Sequence, residues 1–346
     1  MVNLRRTFFY FLRLGLWNID IPYTGASLSL DDWKNLFAMA QAQAVTGLFI
    51  DGVGRSSFRP PGGLWDQWIL HLLFLEQMNE RLVDFGERWL HALKQHGISS
   101  QLFKGASVAK WYFNPLHRSF GDIDLVISKD WNRLTNILRD ENVAYSIENG
   151  DLVITDHAIR VEFHPTWDFL YNPFLNVRLQ KLLGQSNYIS NELYFICLII
   201  HLRRHFLTYG IGLKQVCDVA VMLKTASLDF EKIRSLVRYL HIERFSRCLF
   251  GFIKTHLNCI DVYPLQPIIA GSNFLLFQHV ILEEGFCLRI AQDKQARASS
   301  SSLVRIFKNL FFWMQRAVQL LYMMPCEMFF FLLSQTKNRV KKIFKD

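Results

Sequence analysis

One stretch of this chain, from Ile98 to about Trp167, reads as β-rich, and helical periodicity occupies the sequence on both sides of it. That placement predicts an α+β fold, with a short mixed sheet and its helices set between N-terminal helices and a C-terminal helical domain. With 346 residues, 51% of them hydrophobic and 14% aromatic, the chain is long enough for two or three domains with full cores. The expected boundaries are 1–97 for the N-terminal helical region, 98–170 for the sheet domain and 171–346 for the C-terminal helical domain with its basic tail.

Local signals place the elements. Ser29, with Asp32 three residues on, starts a helix predicted to reach about Gly52; RPPGG at 59–63 breaks the chain, and a second long helix ends at Gly97. SSQLFKG is predicted as a strand entering a turn at Gly105, ASVAKWYF as a short helix, and GDIDLVIS as a strand. A helix started by Ser128 follows, and then DLVITDHAIRVEFH as two strands joined by a tight turn near Asp156 and His157. Trp65, Trp68, Phe74 and Phe85 fall at helical spacing and are expected in a core rather than on a base-stacking platform. ARASSSSL at 296–303 is the most linker-like segment.

The balance of 39 Lys+Arg against 30 Asp+Glu gives a net charge of +9, which favours anionic partners: nucleotides, nucleic acid or an acidic membrane surface. Zinc-finger, RNA-recognition and P-loop signatures are absent from the sequence. The six cysteines lie in the C-terminal half without a C-x-x-C pair, a usage that fits a reducing cytoplasm. The opening MVNLRRTFFYFLRLGLW has an apolar run interrupted by Arg13 and reads as an amphipathic helix rather than a signal peptide. Residues 309–334 are cut by Arg316, Pro325 and Glu327 into pieces too short to span a bilayer. They read as a buried helix pair or, with the basic tail that follows, as a peripheral membrane anchor.

FGDIDLVI, residues 120–127, sets two acids into an otherwise apolar strand. Strand alternation puts Asp122 and Asp124 on the face opposite Ile123, Leu125 and Ile127. Burying two like charges unpaired costs several kcal/mol, so a cation is expected between them, and Mg²⁺ or Mn²⁺ suits carboxylate oxygens. A lone Asp-x-Asp also fits a solvated strand end. In RVEFH, however, Arg160, Glu162 and His164 share a face, and Glu162 supplies a third acid if the two strands are neighbours. Three such carboxylates can hold two divalent ions for an in-line phosphoryl transfer. Upstream, FKGAS places a glycine at a strand-to-helix turn where backbone N–H groups can hold phosphate oxygens, with Lys104 and Arg118 as nearby cations.

The run LFKGASVAKWYFNPLHRSFGDIDLVI followed by VEFH resembles the nucleotidyltransferase superfamily built on a DNA polymerase β-type catalytic domain. Within it, the chain is similar to a bacterial group of largely uncharacterised nucleotidyltransferases with the pattern L-K-G, then Y, P and R, then D-h-D-h-h-h, then h-E-h-H. Asp122-Ile123-Asp124-Leu125 and Val161-Glu162-Phe163 match the superfamily hallmarks, whereas Ala106 stands where a second Gly or Ser is usual. FFYFLRLGLW, DWKNLFAMAQAQAV, LIIHLRRHF and LKQVCDVAVML extend the likeness over much of residues 1–225.

The resemblance implies transfer of a nucleoside monophosphate from an NTP such as ATP to an acceptor hydroxyl in the cytoplasm, with pyrophosphate released. The acceptor is open among protein, RNA and small molecule. Asp122, Asp124 and Glu162 are the implied catalytic and metal-binding residues. Lys104, Gly105, Ala106, Ser107, Arg118 and Gly121 are the expected nucleotide-binding residues. His164, His201, His205 and Asp218 are candidates for acceptor-side or supporting contacts. His201 and His205 stand four apart on a helix, a spacing that also suits zinc, but no H-E-x-x-H pattern and no third ligand accompanies them. The competing expectation is a non-catalytic nucleotide-binding or interaction protein docked through its basic tail.

Overall fold

The computed structural model describes residues 3–284 apart from 24, 128–129, 149, 157–158, 185–188, 209 and 259–260, and then 318 and 320–343, the side chains of 336–343 excepted. These residues form two units: one of 3–167 and 217–226, the other of 168–184, 189–216 and 227 onward.

The first unit starts with four helices: α1 (Leu4–Trp17), α2 (Leu30–Ala42), α3 (Thr46–Arg55) and α4 (Gly62–Gln95). Ser29 caps α2 in a reciprocal box with Asp32, as the sequence predicts. The helix expected from there to Gly52 is instead two helices. Ala44 takes a left-handed φ of 52°, and Val45 N–H donates back to the Ala40 carbonyl, which closes α2 before α3 begins. The missing signal was glycine, since alanine occupies the position that glycine usually marks. Two helices that touch through their backbones need glycine for another reason: a Cβ at Gly15 would lie 1.8 Å from the Leu48 carbonyl oxygen, and one at Gly52 equally close to that of Phe11. Gly97, with φ of 68°, ends α4 as expected.

The sheet is mixed, in the order β1 (Gln101–Phe103), β2 (Ile123–Val126), β5 (Ile159–His164), β4 (Asp151–Asp156), β3 (Ser146–Glu148). β2 and β5 are parallel; the other pairs are antiparallel. Between β1 and β2 lie the one-turn helix α5 (Gly105–Ala109) and a 3₁₀ turn at Pro115–His117; α6 (Trp131–Asp140) follows β2. One face of the sheet, through Ile123, Leu125, Val161 and Phe163, packs with Leu82 and Phe85 of α4 and Leu134 and Leu138 of α6 into a shared core. β3 is absent from the predicted elements because all three of its residues are exposed and give no apolar alternation. Asp130 holds the N-cap position of α6, while the expected cap Ser128 and the hairpin turn at His157 lie outside the described residues. Trp68 and Phe85 are buried as expected, but Phe74 is 62% exposed, because α4 turns its Leu70–Leu73–Phe74 side to solvent.

The second unit is helical: α7 (Pro173–Leu183), α8 (Asn191–Thr208), the first turn of α9 (Leu213–Thr225), α10 (Phe230–Tyr239), α11 (Glu243–Phe252), α12 (Ser272–His279) and a helix at Pro325–Ile343. The rings of Phe206, Phe245 and Phe277 lie 5.1–5.5 Å apart in its core. Pro325 starts the last helix, whose Met328 and Phe331 are buried and whose Glu327 pairs with Arg203 at 3.3 Å. No helix among the described residues is long and apolar enough to cross a membrane. The linker-like run 296–303 and residues 309–317 lie outside the described residues.

Candidate active site

β2 and β5 run parallel in a register that sets Asp124 beside Glu162 and Val126 beside His164. Because side chains alternate along a strand, the residues that face the core on one side, Leu125 and Phe163, hold Asp124, Glu162 and His164 together on the other. Antiparallel pairing of β1 sets Phe103 against Asp124, which delivers the next residue, Lys104, to the same place.

Lys104 Nζ lies 2.8 Å from Asp124 Oδ1, and His164 Nε2 lies 2.7 Å from that oxygen. Glu162 Oε2 is 3.8 Å from His164 Nε2, and Arg160 Nε donates to Glu162 Oε1 at 2.7 Å. His164 Nδ1 faces Asp151 Oδ1 at 2.9 Å. Lys104, Arg160 and His164 therefore share the space with Asp124, Glu162 and Asp151. Burial on its own raises the Asp124 pKa, but the Lys104 charge and the His164 hydrogen bond outweigh it and hold the carboxyl well below the usual range. For His164, burial works against the charged ring, and the hydrogen bonds to Asp124 and Asp151 overcome it to push the pKa up to about 9.

The turn that carries Lys104 is strained. Its φ of 57° and ψ of −151° fall in a region that glycine alone occupies readily, and the cost is about 1–3 kcal/mol. Gly105 follows with φ of 36°. The twisted residue stands between β1 and α5, and its ammonium lies against Asp124. Ala106, Asp122 and Asp124 then line a narrow cleft walled by Leu82, Val83 and Gly86 of α4 and by Phe103 and Phe120.

The N-terminal helices fix the loop that enters β2. Asn79 of α4, almost fully buried, donates from Nδ2 to the Leu116 and Arg118 carbonyls at 2.6 and 2.9 Å and accepts from Phe120 N–H. His117 bridges Asp51 of α3 and Glu76 of α4, at 2.7 Å to each.

Sequence-predicted residues thus fall into separate groups. Asp124 and Glu162 come together as the resemblance implies, and His164 joins them. Asp122 lies just before β2, on the cleft, and is not part of the Asp124–Glu162–His164 group. Arg118 and Asp218 meet each other: the guanidinium donates to both carboxylate oxygens, at 2.9 and 2.6 Å, and Tyr112 Oη donates to the same acid at 2.7 Å. His201 and His205 belong to α8 in the second unit, with rings 4.3 Å apart and His201 Nδ1 at 3.1 Å from Asp168. Asp51, Glu76, Asn79 and Asp151 were not among the expected residues. Only Asp151 had a readable signal, since the β4–β5 register pairs Leu152 with Phe163 and so sets Asp151 opposite His164.

The donor set fits a divalent cation. One oxygen each from Asp124 and Glu162 and one nitrogen of His164 lie within 4.8 Å of one another, and no other such group of three occurs among the described residues. Neither a curated protein nor a solved structure matches the chain. A family model described as uncharacterised nucleotidyltransferase matches residues 29–258, two-thirds of the chain, including the whole sheet and the Asp124–Glu162–His164 group. The chain belongs to this nucleotidyltransferase family.

Proposed function

We propose that the chain transfers a nucleoside monophosphate from an NTP to an acceptor hydroxyl and releases pyrophosphate. The observation that carries this reading is the pairing of Asp124 with Glu162 across two parallel strands inside the family match. In the reaction the acceptor oxygen forms a bond to the α-phosphorus. The bond from that phosphorus to its bridging oxygen breaks, and the bridging oxygen leaves with the electron pair as pyrophosphate. Asp124, Glu162 and His164 would hold a divalent ion, which supplies charge neutralisation at the transferring phosphoryl group when bound. Asp122, on the cleft beside them, would add a carboxylate on the nucleotide side.

Glu162 has Oε1 tied to Arg160, so Oε2 would face the ion, and its second lone pair would orient the acceptor hydroxyl and take its proton. The strained Lys104 would pass its ammonium from Asp124 to the triphosphate, and the Gly105–Ala106–Ser107 turn and Gly121 would approach the phosphates through backbone. Arg118, tied to Asp218, would act by fixing the loop that carries Asp122 rather than by touching phosphate.

Pyrophosphate release from ATP, CTP, GTP and UTP, with Mg²⁺ or Mn²⁺ and pooled protein, RNA or small-molecule acceptors, tests the reading. Release from at least one NTP, reduced about 100-fold or more in Asp124→Asn, is the expected result. NTP binding without release under every acceptor would replace enzyme by nucleotide-binding module.

A further inference from the structure

His164 is the donor that sets this site apart from an all-oxygen one. Its ring stands between three acids. Nδ1 is 2.9 Å from Asp151 Oδ1, while Nε2 is 2.7 Å from Asp124 Oδ1 and 3.8 Å from Glu162 Oε2. Asp151 begins β4 and His164 ends β5, so the sheet itself fixes the Asp151 contact. A carboxylate accepting from Nδ1–H fixes the ring so that Nε2 faces the two remaining acids, and a bound ion would replace the proton that Nε2 shares with Asp124. Adjacent ligands of an octahedral ion with bonds near 2.1 Å lie about 3 Å apart, and the 2.7 and 3.8 Å separations bracket that value.

We propose that His164 coordinates the ion directly through Nε2, that Asp151 is its positioning residue, and that the site therefore selects a transition-metal cation such as Mn²⁺ over Mg²⁺. An imidazole nitrogen binds divalent transition metals, Mn²⁺ the weakest among them, more readily than it binds Mg²⁺, which keeps to oxygen and water. The proposal rests on the metal centre of the reading above but not on nucleotidyl transfer. Its opposite is a His164 that serves as a fixed cation against Asp124 and Asp151 and never binds metal.

Electron paramagnetic resonance of the full chain titrated with MnCl₂ alone, without nucleotide, separates the two. The expected result is one bound Mn²⁺ whose echo-envelope spectrum carries the ¹⁴N coupling of one imidazole, absent in His164→Gln. Asp151→Asn should weaken Mn²⁺ binding by about 10–100-fold and leave Mg²⁺ competition at other oxygens little changed. Bound Mn²⁺ without nitrogen coupling in the wild type would overturn the proposal, as would equal affinity for Mg²⁺ or no Mn²⁺ binding. The wild-type spectrum decides the ligand even if a variant fails to fold. Nucleotidyl transfer supported by Mg²⁺ alone would sink this proposal and leave the proposed function standing.

Discussion

Asp218 and Asp124 are two buried aspartates of the same unit, and each meets a basic side chain and a second polar partner. Around Asp218 the partners are donors: both its oxygens receive the Arg118 fork, and Tyr112 adds a hydroxyl. Around Asp124 the donors Lys104 and His164 are accompanied by another acid, Glu162, one strand away, with Asp151 behind the imidazole. A bidentate pair with its donors matched is finished as structure. A pair of neighbouring carboxylates held by shared counter-ions is exchangeable, since a divalent cation can replace the His164 proton while Lys104 turns to phosphate. On this contrast Asp218 holds the fold, and Asp124 is the acid we propose to carry chemistry.

The largest effect should fall on the finished pair. Asp218→Ala strands the Arg118 guanidinium in a buried position, and urea unfolding should record a loss of about 3–5 kcal/mol. Pyrophosphate release per folded molecule should fall far less than in Glu162→Gln, and its disappearance would dissolve the distinction. Next, Glu162→Gln should lower release by about 10²–10⁴-fold with a much smaller change in stability, because it relieves one like charge. Equal stability losses for the two variants would contradict the difference between the sites.

A smaller effect concerns His117, held between Asp51 and Glu76. Burial lowers its pKa, but the hydrogen bonds to Asp51 and then to Glu76 outweigh that and raise it above the ordinary value. A raised histidine stabilises the fold fully below its unfolded pKa of about 6.5, and the contribution disappears as pH rises through the higher folded value. Thermal unfolding should therefore show stability falling above about pH 6.5 in wild type, and less steeply in His117→Gln. Parallel profiles would remove His117 from the account. The smallest change is Tyr112→Phe, which deletes one donor to Asp218 while the Arg118 fork stays, at about 1 kcal/mol.

What the sequence reveals follows the range of the interaction. Asp124 and Glu162 are legible because strand alternation and a short spacing put them on one face, and their apolar neighbours Leu125 and Phe163 enter the core as expected. Arg118 and Asp218 are visible as charged residues, yet their pairing spans a hundred positions and leaves no periodic trace. The same holds for Asn79 and the loop it ties. Lys104 is legible as a cation, but nothing in its residue type announces the strained backbone it takes between β1 and α5. The break at Ala44 and the strand β3 escape for a local reason: the first lacks glycine and the second lacks apolar alternation.

The central claim is that the Asp124–Glu162 pair serves transfer of the α-phosphoryl unit with its nucleoside. Parallel reactions with an NTP labelled at the α- or the γ-phosphorus, in wild type and Asp124→Asn, test it most directly. The α-label should pass to the acceptor and the γ-label should leave as pyrophosphate, both only in wild type. Transfer of the γ-label to the acceptor, or equal labelling by Asp124→Asn, would contradict the account.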